Sequence, residues 1–161
     1  MEDTVMEKIN DLKGNKGKYH KEALRAWHNI HHRVLNCPSY TNVLICEEWY
    51  TYSNFYKWFS NNYVAGWDID KDIKGGNEYS PSNCLFVPKE VNLLFRNVDT
   101  RYDKGVVRNG EGFQAQITID RKNEKLGTYQ TIEQAHAAYE VARTERLKKL
   151  SLQYPSLSNI I

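Results

Sequence analysis

Three polar stretches in the middle of the chain have the residue types of a phosphodiester-cleaving site. Asp70 stands beside Lys71 and Asp72, Asn83 follows in Tyr79-Ser80-Pro81-Ser82-Asn83-Cys84, and Asn92 follows again after an apolar run. Phosphodiester hydrolysis needs a polarised water and a hard cation near the scissile phosphate. Mg²⁺ takes oxygen ligands and keeps most of its waters, so one carboxylate and one amide are a sufficient protein contribution. Lys71 sets the question of what could deprotonate the water. Lysine as a residue type titrates at about 10.4, against about 6.5 for histidine. A charged lysine can hold a phosphate or stabilise a leaving group, but it cannot take a proton from water. His28, His31 and His32 lie close together earlier in the chain, where the fold could present one of them. A second reading of the same residues stays open: Asp68, Asp70, Asp72 and Asn83 are also the types that build turns and strand edges.

A second polar set follows. Gln114, Gln116 and Thr118 alternate with Phe113, Ala115, Ile117 and Ile119. Strand periodicity puts the apolar residues on one face and the amides and hydroxyl on the other. Glutamine pairs with adenine N6 and N7, while Arg and Lys contact guanine or phosphate. A solvated polar face would have the same composition.

The elements that must position these residues follow from periodicity. Ala23, Trp27, Ile30 and Val34 mark a helix over 20–36, ended by Cys37-Pro38-Ser39. Trp49, Tyr52, Phe55, Tyr56 and Phe59 mark a second over 47–61, with its aromatic stripe in a core. Trp67 to Ile73 alternates as a strand, Lys74-Gly75-Gly76-Asn77 is a turn, and Cys84 to Val87 is a short strand. Pro88 opens a helix reaching Arg96. Three short strands are expected near 105–109, 113–119 and 123–128, with turns at Asn109-Gly110 and Asp120-Arg121-Lys122-Asn123. Thr131 with Gln134 forms a capping box that starts a long helix, and Ala135, Ala138 and Ala142 let it lie close on a sheet. Residues 151–161 carry no assigned structure.

Bulk properties narrow the class. At 40% hydrophobic and 26% charged residues the chain is globular. Its apolar runs are too short for a membrane span, and the N-terminal stretch lacks the apolar core of a signal peptide, so a cytoplasmic protein is expected. Cys37, Cys46 and Cys84 have no CxxC spacing and support neither a zinc knuckle nor a disulfide framework. Residues 101–150 carry ten Lys and Arg against seven Asp and Glu, net +3, whereas residues 1–100 carry twelve against thirteen, net −1. The positive excess lies with the second polar set, a signal for nucleic acid.

The strand–strand–helix order over roughly 20–97, with its tryptophan-rich lead, Asp70-Lys71-Asp72 and the Tyr79 to Cys84 segment, resembles the HNH (ββα-metal) nucleases. The likeness is closest to phage HNH homing endonucleases. That resemblance implies Asp70 and Asn92 as ligands of Mg²⁺ or Mn²⁺. It makes Asn83 the residue that orients the base through its amide oxygen, and Lys71 the occupant of the histidine's place. Residues 101–150 carry Gly105-Val106, Leu126-Gly127-Thr128-Tyr129 and an alanine-rich helix, and they resemble the ethylene-response-factor type of DNA-binding domain. That resemblance implies major-groove binding through Arg108, Gln114, Gln116, Thr118 and Lys125. Arg143, Arg146, Lys148 and Lys149 are candidates to brush phosphates.

The fold expected is α+β. N-terminal helices and a ββα unit come first, then a three-stranded antiparallel sheet on one long helix. The expected organisation is a flexible lead (1–19), an HNH-like domain (20–97), a linker (98–103), a DNA-binding domain (104–150) and a tail (151–161). The partner expected is double-stranded DNA, with no membrane and no small-molecule cofactor; the chain could act as a monomer. Two activities follow: metal-dependent DNA hydrolysis in the host cytoplasm of a phage, or a cut-incompetent DNA-binding regulator. A role on RNA is a third.

Overall fold

The computed structural model describes residues 6–14, 16–96 and 100–161. The chain is a mixed α+β protein that divides into two compact units, Met1–Val87 and Pro88–Ile161.

The first unit is organised by aromatic rings. Helix α1 (His20–Asn36) buries Ala23, Trp27, Ile30 and His31, and Cys37 leaves it in an extended conformation before Pro38. The second aromatic stripe does not form one continuous helix. Glu47–Tyr50 is a 3-10 turn, Thr51 is extended, and α2 runs over Tyr52–Asn62. The break has a physical cause. Ile9 bridges to Thr51, its N–H donating to Tyr50 O (2.8 Å) and its carbonyl accepting from Tyr52 N (2.9 Å). The same lead caps α2, with Asp11 Oδ1 accepting from Ser53 N at 2.9 Å. Trp27, Trp49, Tyr52, Phe55 and Phe59 are all nearly or fully buried, each worth roughly 1.5–3 kcal/mol.

The strands of this unit are short. Strand β1 (Leu44–Ile45) pairs in parallel with β3 (Glu78–Tyr79), and β2 (Trp67–Asp70) pairs with β4 (Leu85–Pro88). Two-residue pairings are marginal alone, so the ring core carries them. The alternating run expected to reach Ile73 stops at Asp70, because the Asp70 carboxylate turns the chain there.

The second unit starts with α3 (Lys89–Phe95), whose N-cap is Pro88 rather than Pro88 being its first residue. Strands β5 (Val106–Asn109), β6 (Gly112–Ile119) and β7 (Lys122–Tyr129) form an antiparallel sheet with β6 central. Both hairpin turns have two residues: Gly110-Glu111, and Asp120-Arg121 with positive φ at each position (49° and 66°). That geometry suits the twist of a hairpin. Lys122, expected in the turn, is thereby a strand residue. Helix α4 (Ile132–Gln153) begins at the Thr131–Gln134 capping box and packs on β6 and β7. Gly105 is required by close approach as well as by conformation. Its φ is +80°, and a Cβ there would lie 2.2 Å from the Tyr139 ring. The segment after 150 is structured: α4 continues to Gln153, and Leu157 is buried in a 3-10 turn.

Helix α3 is built into this second unit. Glu90 accepts from Arg146 Nη2 (2.9 Å) and from Tyr154 OH (2.7 Å). The Leu94 carbonyl accepts from Arg143 Nε and Lys104 Nζ. The division at Val87 therefore places Asn92 in a different unit from Asp70, whereas a boundary near 97 was expected. The expected linker begins at residues outside those described.

Candidate functional site

The Asp70 turn is built from three side chains. Asp70 is 2% exposed. Its Oδ2 accepts from the backbone N–H groups of Asp72 and Ile73, both at 2.8 Å, which is how the carboxylate ends β2. Its Oδ1 is buried without a hydrogen-bond partner among the described residues. Burial pushes the carboxyl above its usual range, the Ile73 N–H opposes that, and the Asp72 charge adds to it. An unpartnered carboxylate oxygen is a suitable ligand type for a hard cation. Yet among the described residues no group of three or more His, Cys, Asp or Glu could hold a metal ion. Asp70 Oδ1 is thus the single carboxylate oxygen this turn offers such a cation.

Lys71 does not present a base. Its Nζ is 2.5 Å from Asp72 Oδ1, with the side chain 11% exposed. The ammonium lies 5.6 Å from the centroid of the Tyr40 ring and 5.9 Å from that of Tyr79. An ammonium has three donors and no acceptor, and this one is held between a carboxylate and two ring faces.

Asn83 acts on backbone. Its Nδ2 donates to the carbonyls of Lys71 and Glu78, each at 2.8 Å. The expectation concerned the amide oxygen and a side-chain base; the contacts seen are those of the amide nitrogen, which staples the loop. Gly76 is part of the staple, since a Cβ there would sit 2.4 Å from the Asn83 amide.

The histidines of α1 have other work. His31 Nε2 donates to Trp49 O at 3.1 Å, the carbonyl that also accepts from Trp27 Nε1 at 2.6 Å. A carbonyl only accepts, which fixes the proton of a neutral His31 on Nε2. Burial is the main cause that lowers His31 below its ordinary value. His28 accepts at Nδ1 from Lys8 Nζ, 3.0 Å away. His32 is exposed.

The three-stranded sheet gathers most of the second polar set. Directly paired residues share a face, and the register pairs Gln114 with Thr128, Gln116 with Lys125 and Thr118 with Asn123. Gln114, Gln116, Thr118 and Lys125 therefore share the face opposite to buried Ala115 and Ile117. The shift at Ala115/Gln116 leaves Leu126 unpaired in register. On this face Asn123 Nδ2 donates to Gln116 Oε1 (3.1 Å) and Thr118 Oγ1 donates to Asn123 Oδ1 (3.2 Å). The paired positions on it are amides, hydroxyls, Val107, Gly112 and Lys125, with no carboxylate.

Arg108 is on the other face. It pairs with Phe113, its guanidinium lies 4.8 Å from that ring's centroid, and its Nε donates to Gly110 O. Arg143 and Arg146 are likewise engaged. Arg143 binds Leu94 O and lies over Phe95, and Arg146 bridges Glu90 and Asp120. Lys148 and Lys149 are exposed. Asn123 and Thr128 join the face unforeseen. Treating Asp120-Arg121 as a two-residue turn would have paired 118 with 123 and exposed both.

Comparison with protein-family models, curated proteins and solved structures finds no match.

Proposed function

We propose that this chain binds double-stranded DNA through the outer face of β5–β6–β7 and does not hydrolyse it. The observation that carries this reading is the shared face of Gln114, Gln116, Thr118 and Lys125, free of carboxylates on the paired positions. Amide and hydroxyl groups reach base edges, and a lysine reaches phosphate. The likeness of residues 101–150 to the ethylene-response-factor type points the same way. Against hydrolysis stands the Lys71–Asp72 pair in the place where the HNH pattern puts its histidine. A nuclease-type unit would then serve as a scaffold.

The second reading is metal-dependent phosphodiester hydrolysis, and the unpartnered Asp70 Oδ1 favours it. Nicking of supercoiled plasmid, with Mg²⁺ or Mn²⁺ and with EDTA, separates the two. Asp70→Asn is the control, because an amide oxygen can still accept the two turn N–H groups. The DNA-binding reading expects retarded but intact plasmid under every condition. Metal-dependent nicking lost in Asp70→Asn would replace it with the nuclease.

A further inference from the structure

The amide pair on the sheet's outer face is more ordered than a solvated face requires. Gln116, Asn123 and Thr118 form one hydrogen-bonded chain across β6 and β7, with Thr118 donating to Asn123 and Asn123 donating to Gln116. A glutamine held in this way has less rotamer freedom left to lose when a ligand arrives. Its Oε1 has two lone pairs, of which Asn123 occupies one, and its Nε2 keeps two donors. The side chain therefore offers a donor and an acceptor side by side. Adenine displays the complement in the major groove, an N7 acceptor next to an N6 donor, whereas guanine displays two acceptors.

The cations of the second unit sharpen the distinction. Bidentate arginine is the usual reader of guanine; Arg108, Arg143 and Arg146 are all committed off this face, and Arg121 lies in the β6–β7 turn and not at a paired position. Lys125, paired with Gln116, is the cation among its paired positions. Dimensions fit as well. From Gln114 to Thr118 a strand runs about 13 Å and adjacent strands lie about 4.8 Å apart, and the major groove is about 12 Å wide and admits a two-stranded ribbon.

We infer that Gln116, oriented by Asn123 and Thr118, is a specificity-determining residue that reads adenine in the major groove. This rests on the DNA-binding reading above. The test is selection of duplexes by the full chain from a pool with randomised sequence, followed by 7-deazaadenine at each adenine of the selected duplex. That analogue removes the N7 acceptor and requires no change to the protein. The expected result is an enriched adenine whose replacement weakens binding by roughly fivefold to a hundredfold, with no further loss in Gln116→Ala. Binding without adenine enrichment, or a 7-deazaadenine effect that persists in Gln116→Ala, overturns the role of Gln116 while DNA binding stands. Failure to bind any duplex overturns both.

Discussion

The Asn83 amide reaches back across twelve residues to the carbonyl of Lys71, 2.8 Å away, and holds the carbonyl of Glu78 at the same distance. Two part-buried carbonyls are satisfied by one short side chain, and Gly76 leaves it room. The loop carrying the candidate chemistry is therefore fixed from its backbone, with Lys71's ammonium turned to Asp72.

Gly76→Ala should cost about 1–3 kcal/mol, because the added methyl displaces an amide holding two carbonyls. Asn83→Ala should cost a similar amount. Denaturant unfolding of both single variants and the double variant checks this. The double variant should cost clearly less than the sum, and full additivity would mean that the two residues do not share one device.

Arg108 and Lys125 separate face from charge. Lys125→Ala should weaken DNA binding and lower the slope of log affinity against log salt by about 0.9. Arg108→Ala removes a cation–π contact with Phe113 on the other face. It should cost stability on the order of 0.5–1 kcal/mol and leave that slope unchanged. Fluorescence anisotropy over a salt series distinguishes them, and equal slope changes would put Arg108 back at the DNA.

His31 makes stability depend on pH with a defined sign. Burial holds its imidazole below the ordinary 6.5, so the unfolded chain takes up this proton before the folded one. The contribution is complete above about pH 6.5 and is lost as pH falls toward the depressed folded value. His31→Gln keeps a donor toward Trp49 O without a titration. Its melting temperature should fall less than that of the parent between about pH 7.5 and 5. Parallel curves would mean that His31 is not the source. His28, also lowered, adds a change of the same sign to both proteins.

Gly105→Ala tests the approach of α4 to the sheet. A side chain at φ +80° is strained, and its Cβ would overlap the Tyr139 ring. Loss of at least about 2 kcal/mol is expected, seen as a lower unfolding midpoint. An unchanged midpoint would contradict the packing described.

The long-period signals were the legible ones. The stripe of α1, the alternation of β6 and the Thr131 capping box each reflect a local rule that packing reinforces. The break at Thr51 was not legible, because it depends on Ile9 from a distant segment. Asp70 was read as a metal ligand with a turn role as the alternative, and the two N–H groups that its Oδ2 accepts are a local turn device that residue type alone does not specify. Arg108 was grouped with the polar face on the resemblance to a DNA-binding sheet. Register decides faces: the two-residue turn Gly110-Glu111 pairs Arg108 with Phe113, and Asp120-Arg121, with positive φ and no glycine, likewise sets Thr118 opposite Asn123.

The central claim is metal-independent DNA binding by the outer sheet face. Its most direct test is anisotropy titration of a labelled duplex by the full chain in EDTA at low salt, beside a Gln114→Ala, Gln116→Ala, Lys125→Ala triple variant whose folding is checked by circular dichroism. Binding by the parent, weakened at least about tenfold in the folded triple variant, is the predicted result. No binding in EDTA, or equal binding by both proteins, would contradict the account.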